Sequence, residues 1–192
     1  MYPYALSKYL GEQAAMHWQQ VYRLPVVSIR IFNAFGTRAK TSSNYGAVFG
    51  VFLKQKLAGK PFTLVGDGSQ TRDFLYVTDV VRAFYLAAQL AKSGSIYNLG
   101  AGKPQSIAYL IKCLGGGNIV HLAWRPGEPK CTYADITKIT HELGFKPQIT
   151  FEQGVNNMLA NIEFWQAAPL WNKTTIANAT KTWFNMLTTI ED

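Results

Sequence analysis

Tyr4 and Lys8 stand one helical turn apart near the start of the sequence. At i and i+4 a phenol and an ammonium share one face of a helix. The cation favours the phenolate, so the pair can act as a general base toward a sugar or alcohol hydroxyl. The same spacing suits two residues of a helix surface, and with ten tyrosines in the chain it arises readily by chance. Three further groups could hold a ligand. In "RIFNAFGTR", Arg30 interrupts an apolar run, which is costly unless it is paired. Asn33 follows at the strand's end and offers both a donor and acceptors, or simply initiates a turn. In "GDGSQTRDF", Arg72 lies beside a glycine turn. It could grip phosphate oxygens with two donors, or pair with an Asp on a surface hairpin. In "WRPGEP", Arg125 and Glu128 share one tight turn. They read either as a guanidinium for phosphate with a carboxylate for ribose hydroxyls, or as local charge compensation.

Other chemistries find little support. His17, His121 and His141 share no metal-ligand spacing, so no metal is expected, and His17 reads as packed on an apolar helix face. No G-x-S-x-G stretch exists, and Cys113 and Cys131 form neither a disulfide framework nor a nucleophile arrangement. The aromatic residues Phe164, Trp165, Trp171, Trp183 and Phe184 read as packing residues.

The elements that must position these groups follow from periodicity. Leu6, Leu10, Ala14, His17 and Val21 predict a helix over 4–22, behind Pro3. "VVSIRIF" (26–32) reads as a buried strand, and 33–46 as a loop. A helix is expected over 47–58, then two extended pieces around Gly66–Gly68. Thr78 or Asp79 should cap a helix over 79–92. Strands are expected at 94–102 and 118–124, a short helix from Ser106, a turn at 125–129, and helices at 135–143, 151–166 and 173–189. Strands alternating with helices imply a parallel α/β sheet. No G-x-G-x-x-G fingerprint follows a strand near the start, so no complete dinucleotide-binding unit can be built.

The 192 residues are 48% hydrophobic, ordinary for a globular domain. The net charge of +8 favours anionic partners, but it is spread along the chain rather than gathered into a nucleic-acid patch. No secretory leader and no membrane-spanning run is visible, and a cytoplasmic setting is expected, without membrane or nucleic-acid partners.

Taken in order, the motifs carry more than each alone. Y-x-x-x-K (Tyr4–Lys8) is followed by R-x-F-N-x-F-G (Arg30–Gly36) and G-D-G-x-Q-x-R-D-F-x-Y-V-x-D-V (Gly66–Val80). Next come N-x-G-x-G-x-x-x-S (Asn98–Ser106), R-P-G-E-P (Arg125–Pro129), A-D (Ala134–Asp135) and L-G-F-x-P (Leu143–Pro147). Over roughly residues 1–160 this resembles the C-terminal half of an extended short-chain dehydrogenase/reductase of the nucleotide-sugar epimerase/dehydratase family, whose members are isomerases or lyases of carbohydrate metabolism. The resemblance implies NAD as cofactor and a nucleotide-diphosphate sugar as substrate. It implies Tyr4 as catalytic base, and Lys8 as the residue that lowers its pKa and holds the nicotinamide ribose. Phe32 would lie near the nicotinamide and Asn33 near the sugar diphosphate. Thr63 and Val65 would lie beside the nucleotide base, Arg72 and Arg125 on the diphosphate, and Glu128 on the ribose.

The implied fold is the C-terminal part of a Rossmann-like doubly wound parallel sheet plus a small mixed α/β substrate-binding domain, with the N-terminal half absent. Residues 1–36 would be a remnant of the NAD-binding domain. Residues 37–165 would be mainly substrate-binding, with 78–102 returning to the Rossmann sheet, and 166–192 a helical tail. The chain is then expected to be a fragment of a longer enzyme, working as a homodimer or with a complementing N-terminal half. The competing expectation is a non-catalytic nucleotide-sugar-binding module that lacks cofactor binding.

Overall fold

The computed structural model describes residues 3–39, 47–125 and 127–188. Its elements run α1 (Pro3–Tyr22), β1 (Ser28–Ile31), β2 (Asn33–Phe35), α2 (Val48–Leu57), β3 (Phe62–Val65), β4 (Thr71–Arg72), β5 (Phe74–Tyr76) and α3 (Val77–Leu90). They continue with β6 (Ile96–Leu99), β7 (Gln105–Ser106), α4 (Ile107–Cys113), β8 (Ile119–Leu122), α5 (Thr137–Leu143), α6 (Phe151–Ala160), a 3-10 turn (Ile162–Trp165) and α7 (Lys173–Thr188). The fold is α/β, as the alternation of strands and helices implies.

The strands pair in twos. β1 with β6, β2 with β5 and β3 with β8 are parallel, while β4 with β7 is antiparallel. β1 and β2 form almost one strand, yet they serve different partners. Phe32 donates its N–H to Leu99 O at 3.0 Å, and Asn33 donates to Asp73 O at 3.1 Å. The chain thus changes neighbour at a single peptide, and β2 lies within the segment expected to be loop. Three residues before Gly36 give too short an alternation to read, and 40–46 of that loop lie outside the described residues.

Two apolar cores follow. One is largely aromatic: Phe35, Phe49, Phe52, Phe74, Phe151 and Trp165 pack between α2, α4 and α6. Gly154 lets α6 approach, because a Cβ there would collide with the Phe35 and Tyr76 rings. The other core, with Leu75, Tyr97, Leu99, Ile139 and Phe145, lies under α3 and α5. α6 opens on a capping box of Thr150 and Gln153, and α5 ends on Gly144 with φ +64°, a conformation glycine adopts without penalty.

Several expectations need correction. α3 starts at Val77 after an extended Tyr76 with no side-chain cap. Asp79 is instead buried inside the helix, where its Oδ2 accepts the N–H groups of Gln148 and Ile149, each at 2.9 Å. It ties α3 to the segment entering α6, a tertiary role that overrides its capping preference. His17 is exposed rather than packed, because α1 buries none of its residues. Of the C-terminal aromatics, Trp165 is fully buried while Phe164 and Trp183 are exposed.

What seats α1 on the sheet is polar. Glu12 accepts from Arg30 Nε and Nη2 at 2.8 and 2.6 Å, and from Ser28 Oγ at 2.9 Å. This pairing answers the cost of Arg30 on its strand. The Arg30 guanidinium bonded to it holds the Glu12 carboxyl below its ordinary range, against the opposing effect of burial. Because the folded value is lowered, the stabilisation is complete above the ordinary carboxylate pKa and is lost as pH falls through the lowered one. Arg30 is half exposed, so the pair contributes about 0.2–1 kcal/mol. Glu12→Gln should therefore speed amide exchange over 3–22 by about 1.5- to 5-fold at neutral pH, leaving α2 unchanged. Acidification of the wild type should produce the same local loosening. Equal exchange in α1 of the two proteins would refute this anchoring.

Candidate functional site

Asn33, Thr63, Val65, Arg72, Arg125 and Glu128, the six positions expected on the substrate, line one cavity of about 180 Å³. The first opens β2, where the strand changes partner. Two come from β3, one from β4, and two from the 125–129 turn. The floor is apolar, from Val51 and Phe52 of α2, Phe74 of β5 and Ile107 of α4.

Arg72 is 9% exposed and almost fully engaged. Its Nη1 donates to Thr71 O at 2.8 Å and Pro129 O at 2.9 Å, and its Nη2 donates to Glu128 Oε1 at 2.8 Å. Arg125 Nη1 stands 3.7 Å from Glu128 Oε2. One carboxylate therefore lies between two guanidiniums and holds them on the same wall. The pairing is neither the surface Arg–Asp contact nor the purely local compensation that the sequence also allowed. It spans from β4 to the 125–129 turn.

Gln70 was not singled out in the sequence. It is 5% exposed and lines the cavity. Its Nε2 donates to Val65 O at 3.1 Å, which leaves Oε1 buried and without a hydrogen-bond partner among the described residues. Glu128 Oε2 likewise accepts no hydrogen bond. Two acceptors thus await donors beside two cations. A signal for Gln70 did exist: 70, 72 and 74 recur at the period of two of an extended chain, and all three line the cavity. Gln55 carried no such signal. It is fully buried, donates to Thr63 Oγ1 at 2.9 Å and Trp171 O at 2.8 Å, and accepts from Thr63 N at 3.2 Å. The Thr63 N–H is thereby committed inside the protein, and the Val65 carbonyl accepts from Gln70.

Tyr4, Lys8 and Phe32 stand apart. Lys8 Nζ lies 5.5 Å from the Tyr4 ring centroid, so the two do share a helix face. Tyr4 is 73% exposed, however, and none of the three lines the cavity. Among the described residues no three His, Cys, Asp or Glu side chains cluster as a metal site. Among the described residues no helix is long and apolar enough to cross a membrane.

The model of the NAD dependent epimerase/dehydratase family matches residues 1–100, and the chain belongs to this family. It is 33% identical over 162 residues to a putative UDP-glucose 4-epimerase of Methanocaldococcus jannaschii, covering 82% of this chain and 52% of that protein. It is 28% identical over 200 residues to a dTDP-glucose 4,6-dehydratase of Escherichia coli, covering 94% of this chain and 52% of the relative. The crystal structure of UDP-glucuronic acid 4-epimerase from Bacillus cereus, in complex with UDP-glucuronic acid and NAD, superposes with a TM-score of 0.75 at 32% identity. That match covers 84% of this chain and 52% of the epimerase. The chain spans about half the length of the curated relatives it matches.

The fit to NAD can be tested on the helices that start directly after strands, α3 and α4. Neither is entered through a glycine-rich turn with free backbone donors. Gly36 abuts α3, but Val77 fills the space where a Cβ would go, and Ser106 Oγ caps α4 by accepting from Tyr109 N. Among the described residues no dinucleotide cradle is built.

Glu128 lies between the Arg72 and Arg125 guanidiniums as their internal counterion. Glu128→Gln should lower the melting temperature through the weakened hold on Arg72, at a cost of about 1–3 kcal/mol. It should also raise the affinity for inorganic pyrophosphate by about 3- to 10-fold at low salt, an advantage that shrinks as salt is added. Weaker pyrophosphate binding by Glu128→Gln would contradict the assignment.

Proposed function

We propose that this chain forms the nucleotide-sugar-binding part of an NAD-dependent epimerase/dehydratase. The observation that carries the reading is the cavity in which Arg72 and Arg125 flank Glu128 and the buried Gln70 Oε1 and Glu128 Oε2 accept no hydrogen bond. A diphosphate suits the two guanidiniums, whose planar donors match phosphate oxygens. On its arrival Glu128 is freed to accept from ribose hydroxyls, and Gln70 Oε1 to accept from a further hydroxyl or N–H of the ligand. The apolar floor suits a base or a sugar face. Thr63 and Val65 place β3 beside the base, and Asn33 meets the diphosphate.

Tyr4 is the residue that exchanges a proton with a sugar hydroxyl, with Lys8 beside it to favour the phenolate. In the whole enzyme Phe32 lies toward the nicotinamide. The cofactor half is contributed by a complementing N-terminal half. Support comes from the half-length match to the relatives and from the UDP-glucuronic acid and NAD bound by the Bacillus cereus epimerase.

Calorimetric titration of the full chain with UDP, UDP-glucose, dTDP-glucose and NAD tests this. Nucleoside diphosphates should bind and NAD should not. Arg125→Met should weaken diphosphate binding by about 10- to 100-fold, the equivalent of one charged hydrogen bond. No binding of any nucleoside diphosphate would overturn the proposal, as would an Arg125→Met variant that binds as well as wild type. Tight oligonucleotide binding at physiological salt would favour a nucleic-acid partner instead.

A further inference from the structure

Thr132 follows the 125–129 turn and does not line the cavity, yet it reaches the first residue of β2, which does. Its backbone N–H donates to Thr71 O at 3.1 Å, which fixes it alongside β4. Its hydroxyl receives the Asp73 N–H at 3.3 Å and donates to Asn33 Oδ1 at 2.8 Å. A hydroxyl has one proton to give. With the Asp73 N–H already directed at the oxygen, that proton is available to Asn33, and only the carboxamide oxygen can accept it. The reverse orientation of Asn33 would point two donors at the hydroxyl and leave its own proton without an acceptor.

We infer that Thr132 is a positioning residue that orients the Asn33 carboxamide so that its nitrogen, not its oxygen, faces the anion end of the cavity. This rests on the reading of the cavity as a nucleoside-diphosphate site. Asn33 then joins Arg72 and Arg125 as a third donor on the wall. The backbone of Asn33 is itself held, since its N–H donates to Asp73 O at 3.1 Å. Both ends of the residue are therefore fixed before a ligand arrives, and the amide is spared a reorientation on binding. An oxygen in place of that nitrogen would meet phosphate oxygens as like partial charges.

The test compares Thr132→Val, which keeps the shape and removes the hydroxyl, with Thr132→Ser, which keeps the hydroxyl. Two readouts are taken on the full chain: UDP affinity by calorimetry, and the Asn33 side-chain amide signals by NMR without ligand. Thr132→Val should weaken UDP binding about 5- to 10-fold and move the Asn33 amide signals, while Thr132→Ser should stay within about twofold of wild type. Asn33→Ala should remove the same increment, and adding Thr132→Val to it should cost little more, because the two residues act as one unit. Asn33→Asp, which sets an oxygen where the nitrogen was, should bind UDP worse than Asn33→Ala. Thr132→Ala, which also removes the hydroxyl, should match Thr132→Val in both readouts and keeps the test open if Thr132→Val fails to fold. The inference is overturned if Thr132→Val leaves the Asn33 signals unchanged, if Thr132→Ser binds as poorly as Thr132→Val, or if Asn33→Asp binds as well as Asn33→Ala. If wild type binds no UDP, the reading of the cavity fails, and the ligand-free Asn33 signals still judge the orientation.

Discussion

The buried carboxylate of Asp73 is the constraint around which the cavity is assembled. The residue is fully buried, and a charge there is tolerable only if donors replace water. Three backbone N–H groups do so: Ala101 at 2.7 Å, Gly102 at 3.1 Å and Ala134 at 2.9 Å. One side chain thus pins the start of β5 to the turn after β6 and to the segment before α5. Gly100 makes the approach possible, since a Cβ there would lie 2.7 Å from Asp73 Oδ2 and 2.5 Å from Ala134 Cβ. The main chain of Asp73 extends the same hub, accepting from Asn33 N and donating to Thr132 Oγ1. Losing the carboxylate would leave three buried donors unpaired at once.

The alternation of an extended chain turns this hub into a site. Asp73 points one way, so Arg72 and Phe74 point the other, and both line the cavity. The order Arg-Asp-Phe is therefore a division of labour: one residue fastens the backbone, one supplies the cation and one supplies an apolar wall. Arg72 completes the arrangement by holding the 125–129 turn through Pro129 O and Glu128. That brings Arg125 to the same wall. The chain's surplus of positive charge thus matters less as a total than as two guanidiniums restrained by one carboxylate.

Much of this was legible in the sequence, and the omissions have physical causes. Periodic apolar residues declared α1 and α3, with Pro3 and Pro25 flanking the first, and Gly59 marked the end of α2. β2 did not show itself, because three residues beside a glycine carry no usable alternation. Asp79 looked like a cap, since its contacts to Gln148 and Ile149 lie 69 and 70 residues away, beyond any local pattern. Arg72, Arg125 and Glu128 announced themselves as charges on turns. Thr132 and Gln55 did not, because each acts through a hydrogen bond whose value depends on burial, while Gln70 showed only as a period of two with Arg72 and Phe74. The Thr132–Asn33 bond joins residues 99 positions apart, and no spacing rule reaches that far.

The apolar residues of α1 lead to a different point. Leu6, Tyr9, Leu10, Trp18 and Val21 are exposed, and so are Val81, Phe84 and Tyr85 of α3. Beside them a groove of about 270 Å³ runs under β1, lined by Val27, Ile29, Phe84 and Ala87. Among the described residues β1 pairs with β6 alone. Parallel strands are normally covered on both faces and paired on both edges, because their backbone and apolar side chains gain little in water. The cavity is lined by residues from β2, β3, β4, α2, α4 and the 125–129 turn, whereas Tyr4 and Lys8 lie on an exposed face of α1. A proton exchanged there would be open to solvent, where a phenol and an ammonium influence each other weakly. Only a body that encloses this face can strengthen that coupling. The cavity residues are thus held by buried contacts, while Tyr4 and Lys8 stand in solvent on one face of α1.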